Sequence, residues 1–150
     1  MRRIVLCMFA LALACGSCAA KEETLDELKA RAQNAPVDQR PELCVKIAEQ
    51  EFRNADKFYN DGQVEEARTA VGDVVTYTEK ARDFAIQTKK HIKNVEIDAR
   101  KMAQRLRDLK RTLAFEDQAP VEQAIRKLED IRTALLQEMF SNKNEKKDKK

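Results

Sequence analysis

Tryptophan is absent from this chain, aromatic side chains make up only 5% of its 150 residues, and glycine and proline number three each. Past residue 20 the shortage deepens: Ser141 is the one serine left, His91 the one histidine, and Gly62 and Gly72 the two glycines. A nucleophile activated by a neighbouring base has almost no material to draw on. His91, flanked by Lys89 and Lys90, reads as a solvated helix residue. A phosphate-cradling loop needs clustered glycines, and a zinc site needs several Cys or His ligands; neither set is present. No Glu-x-x-His pair of the di-iron bundle type occurs either. No catalytic residue, cofactor-binding loop or metal set is identified, and the chain reads as a non-enzyme without a cofactor. Scarce glycine and proline also leave little to interrupt helices.

What is abundant is charge, at 37% of residues, laid over a regular apolar pattern. Ala67, Val71, Val74, Thr78, Ala81, Ala85, Thr88, Ile92, Val95, Ala99, Met102, Leu106, Leu109 and Leu113 follow one another at alternating spacings of four and three. That 3.5-residue period, with no Gly or Pro between Asp73 and Ala119, predicts a single long helix over about residues 63–115. At 1.5 Å per residue it would be a rod of roughly 78 Å.

The first twenty residues read as an address. Arg2 and Arg3 form a basic start, Ile4 to Ala14 an apolar stretch, and Gly16 to Ala20 a small-residue end, the layout of a secretory signal peptide. Eleven apolar residues are too few to span a bilayer, which takes about 20. Two processing readings stand side by side. Cleavage after Ala20 would leave Lys21 as the terminus. The run Leu11-Ala12-Leu13-Ala14-Cys15-Gly16-Ser17 instead resembles a bacterial lipobox, which makes Cys15 the candidate lipidation site. Three of the four cysteines lie in this segment, so their number does not define a disulfide framework. Without residues 1–20 the chain carries 27 basic and 26 acidic side chains, so its overall charge selects no partner.

Three shorter helices accompany the rod. Thr24 and Glu27 have capping-box spacing and start a helix over about 24–34. Pro41 opens a second over about 41–60, which ends at the turn signal Asn60-Asp61-Gly62. Pro120 opens a fourth over about 120–140, and the Lys-rich residues 141–150 read as a disordered tail. The domain is thus 21–140, an all-α, elongated antiparallel bundle built on the central rod. Residues 89–111 carry nine basic side chains against three acids, and residues 116–138 six acids against three basic ones, so the rod's second half should pair with the fourth helix. This intramolecular pairing, together with the export signal, argues against nucleic acid. Two flanking helices of about 20 residues leave roughly 16 Å of rod uncovered near Arg82 to Val95. There Ala85, Ile86, Ile92 and Val95 form a candidate partner surface, unless the first helix swings across to cover it.

Ala55, Phe58, Gly62 and Ala67 stand at the positions of a small residue, an aromatic, the turn glycine and the second-helix alanine in a tetratricopeptide repeat, and this hairpin resembles one. The resemblance implies two helices in close approach. It covers one hairpin, without the repeat's Trp and closing Pro, whereas a peptide groove of that family needs stacked repeats. As a whole the chain looks like the small secreted helical proteins of bacterial envelopes. The expected role is an exported, periplasmic or envelope-anchored structural or interaction protein, with a protein partner or self-association and membrane contact through a lipid anchor or the basic tail. The alternative is a ligand-sequestering or chaperone-like protein, with the alanine-rich half of the rod leaving room between helices.

Overall fold

A computed structural model describes the backbone of residues 23–147 and the side chains through Ser141. The signal segment, including Cys15, lies outside the described residues. The chain forms five α-helices: α1 Leu25–Asn34, α2 Arg40–Asn60, α3 Val64–Thr88, α4 Ile92–Thr112 and α5 Gln118–Lys147, with a 3-10 turn at Phe115–Asp117 ahead of α5.

Local chemistry explains most of the boundaries. The Thr24 backbone N–H donates to Oε2 of Glu27 at 2.8 Å while the Glu27 N–H donates to Oγ1 of Thr24 at 3.3 Å, the complete capping box. At the end of α2, Gly62 adopts φ 74, its N–H donates to the Tyr59 carbonyl at 3.2 Å, and the Gln63 N–H donates to the Phe58 carbonyl at 2.8 Å. That pair of bonds is the Schellman arrangement, which needs a left-handed residue where Gly62 stands. The following hairpin brings Ala55 and Ala67 to full burial.

The long rod is the expectation that fails. The helix stops at Thr88, and α4 starts anew at Ile92, running back along the bundle. Lys89 and His91 both hold left-handed backbone, at φ 55 and φ 63. For non-glycine residues this costs on the order of 1–2 kcal/mol each. Folding back lets Ile92, Val95, Met102, Leu106 and Leu109 become buried against the rest of the chain. Each such side chain is worth about 1.5–3 kcal/mol when fully buried, so the turn is favourable several times over. The stripe itself survives: all fourteen of its positions are buried or half-buried. Its spacing continues across the break because Thr88 and Ile92 are four residues apart.

The result is two antiparallel hairpins, α2 with α3 and α4 with α5, stacked on one another. Side-chain contacts fix the directions. Glu42 meets His91 and Phe52 meets Arg105, so α2 and α4 run parallel. Arg68 meets Asp117 near the starts of α3 and α5, and Lys89 meets Glu138 toward their far ends, so those two run parallel as well. A smaller cluster of Leu28, Ala32, Leu43 and Ile47 docks α1 on α2. There Lys29 Nζ reaches Oε1 of the buried Glu51 at 2.8 Å and lies 3.8 Å from Asp73, tying α1 to both helices of the first hairpin. At the other end of the chain, α5 continues to Lys147 rather than giving way to disorder after Phe140.

The two glycines should respond oppositely to substitution. A Cβ at Gly72, inside α3, would meet nothing within 4 Å, so Gly72→Ala should raise stability by about 0.5–1 kcal/mol. Gly62→Ala should lower it by about 1 kcal/mol through its positive φ. Urea unfolding followed by circular dichroism measures both.

Candidate functional site

The sequence-derived partner strip is not a surface. Ala85, Ile92 and Val95 lie in the core and Ile86 is half-buried against it. The length deficit behind that expectation assumed a continuous rod. Once the rod folds at residues 89–91, its two halves and α5 cover the strip. Ala67, Ala81 and Ala85 of α3 are fully buried by close helix approach.

The basic face of α4 is largely committed within the chain, as the charge pattern predicts. Lys110 pairs with Glu122, Arg107 with Glu129, and Arg132 of α5 with the buried Glu96 at 2.8 Å. The hydrogen bond that Lys110 donates holds the Glu122 carboxyl below the ordinary carboxylate range, and the one that Arg132 donates to Glu96 raises the Arg132 guanidinium. On the other side of the bundle Arg105 stacks 4.1 Å from the Phe52 ring centre.

The three residues of the break each reach an acid on a different element. Lys89 pairs with Glu138 of α5, Lys90 Nζ lies 3.2 Å from Asp38 in the α1–α2 loop, and His91 Nδ1 lies 3.0 Å from Glu42 of α2. His91 is therefore not a solvated mid-helix residue. It occupies the residue before α4 and helps fix where that helix starts. Among the described residues no group of three His, Cys, Asp or Glu side chains is placed to hold a metal ion. No helix among them is long and apolar enough to cross a membrane.

A concavity opens beside this junction. A groove of about 450 Å³ runs between α2 and the first turns of α4. Val45, Val95 and Ile97 provide its apolar part, while Glu42, Lys46, Glu49, His91, Asp98 and Lys101 supply charged and polar groups along it. Sequence reasoning missed this groove because it depends on α2 and α4 lying side by side, which a straight rod forbids. Compared with protein families, curated proteins and solved structures, the chain matches none.

Cys44 is free and almost completely buried, facing the core. Burial pushes its thiol up to about 11. The thiolate is the reactive form, so in a chain beginning at Lys21 the native protein should resist iodoacetamide at pH 8 and react readily in urea. Because the folded value exceeds the unfolded one, the stabilisation from the neutral thiol is complete below about pH 9 and is lost as pH rises toward 11. Unfolding curves across that range should show a decline that Cys44→Ala diminishes.

Proposed function

We propose that this chain is an exported, non-enzymatic helical interaction module of the bacterial cell envelope. Residues 1–20 support the export reading through their basic, apolar and small segments in order. The interaction reading rests on the groove between α2 and α4, where apolar Val45, Val95 and Ile97 adjoin charges of both signs. Apolar contact supplies affinity in such a groove, while the charges fix orientation and exclude mismatched partners. His91 Nδ1 lies 3.0 Å from Glu42 within the groove, and the other charged side chains line the same cleft, a lining suited to recognition.

Two measurements test the reading in cells. Intact mass of the envelope fraction should find the chain beginning at Lys21 or acylated at Cys15; a full-length cytosolic product would contradict export. A photo-crosslinking side chain at the exposed Asn94 should give a discrete adduct that Ile97→Glu removes while helicity is retained. Adducts unaffected by that substitution would mean the groove is not the contact surface.

A further inference from the structure

α1 is joined to the bundle differently from the other helices. Its polar groups are largely satisfied within its own segment: Thr24 and Glu27 close the capping box, Nη1 of Arg31 donates to both carboxylate oxygens of Glu23 at 2.8 Å, and Asn34 donates to the Ala30 carbonyl. Its apolar contacts form the small cluster of Leu28, Ala32, Leu43 and Ile47, separate from the core that α2, α3, α4 and α5 share, with Tyr77 beside both. Of its ten residues only Leu28 and Ala32 are buried. A crevice of about 400 Å³ opens between Arg31 and Asn34 on α1 and Glu42, Leu43 and Lys46 on α2. A helix this short is marginal by itself in water, so α1 holds its place through what it docks against.

The seat it docks against is built around one lysine. Glu51 of α2 is buried, its side chain 6% exposed; Oε1 accepts from Nζ of Lys29 at 2.8 Å and Oε2 from Nδ2 of Asn54 at 3.4 Å. Asp73 of α3 stands 3.8 Å from the same ammonium. The Tyr77 ring, which also meets Lys80 at 4.5 Å, has its centre 5.4 Å from it. Two carboxylates and an aromatic ring around one position select an ammonium group. Beside them Leu43 and Ile47 receive Leu28 and Ala32, which lie one turn apart on the same face of α1. An amphipathic helix laying an apolar face into a groove is a recurring mode of peptide recognition, and here the pattern read is that of Leu28, Lys29 and Ala32.

We infer that this seat is an exchangeable helix-binding site whose occupant in trans is the α1 of a second copy, so that two chains trade α1 and form a dimer. α1 carries its own cap and its Arg31–Glu23 pair with it, and each contact its seat loses in one chain is regained on the other. Only residues 35–39, between α1 and α2, have to change course. Arg40 opposes the opening, donating to the Gln33 carbonyl at 3.1 Å and the Ala35 carbonyl at 3.0 Å, so the closed monomer prevails in dilute solution. The exchange is reciprocal and therefore closes at two chains. A short tether holds α1 near its own seat at an effective concentration on the order of 1 mM, and a second copy competes only near that range. Asn94 and Ile97 of the α2–α4 groove take no part.

The exchange is read by nuclear magnetic resonance on the isotopically labelled chain beginning at Lys21, with an unlabelled, end-blocked peptide of residues 23–35 as the competing helix. Peptide raised to about 5 mM, several times the tether's effective concentration, should move the Leu28 and Ala32 amide signals to those of a released α1 while the amides of α4 and α5 hold their positions. The same peptide carrying Lys29→Gln should bind about fivefold more weakly or worse, a comparison that leaves the protein's own fold untouched. In a Leu28→Asp chain, whose resident helix no longer competes, the wild-type peptide should bind about tenfold more tightly. If that chain does not melt cooperatively, the wild-type titration decides alone. Sedimentation equilibrium from about 0.1 to about 2 mM should show a mass that climbs toward the dimer and no further, and excess peptide should return it to the monomer. α1 amides unmoved by the peptide, equal binding of the Lys29→Gln peptide, a mass that stays monomeric across that range, or a dimer indifferent to the peptide would each overturn the inference. An Asn94 adduct that persists through such a failure would leave the groove reading standing.

Discussion

Everything in this structure follows from the need to bury one apolar stripe with the helices of a single chain. The fourteen positions from Ala67 to Leu113 exceed what the two flanking helices can cover on a straight rod, and water contact along the remainder would cost more than a turn. Left-handed backbone at Lys89 and His91 is the lesser cost. The fold-back turns one long seam into two shorter ones that share a core with α2 and α5.

Charge then distributes itself around that solution. The basic α4 and acidic α5 meet along Arg107–Glu129, Lys110–Glu122 and Glu96–Arg132. These are partly exposed pairs, worth little individually, but like charges across this seam would be repulsive, so the pattern favours this pairing of helices over others. At the break itself, Lys89, Lys90 and His91 reach α5, the α1–α2 loop and α2 in turn. Three contacts to three elements give the turn a fixed place in the bundle, which its own backbone does not supply.

Much of this was legible in the residues. The capping box at Thr24, the Gly62 turn, the α2–α3 hairpin and the α4–α5 charge pairing all come from short-range rules whose physics is local. The break was not legible, because Gln87-Thr88-Lys89-Lys90-His91 contains neither glycine nor proline and the stripe continues across it in phase. Only the benefit of burying α4 elsewhere selects the turn, and that is a property of the whole chain. The misplaced partner strip followed from the same source: Ala85, Ile92 and Val95 looked uncovered only along a rod. The α2–α4 groove was missed for a related reason, since it is created by the fold-back.

The fold-back is best tested by a distance between spin labels at Glu66→Cys and Arg111→Cys, both exposed, in dilute protein beginning at Lys21, where buried Cys44 stays unlabelled. Two antiparallel helices in one bundle place the labels within about 30 Å. A continuous helix over the 45 intervening steps would hold them about 68 Å apart, and a distance near that value would contradict the account.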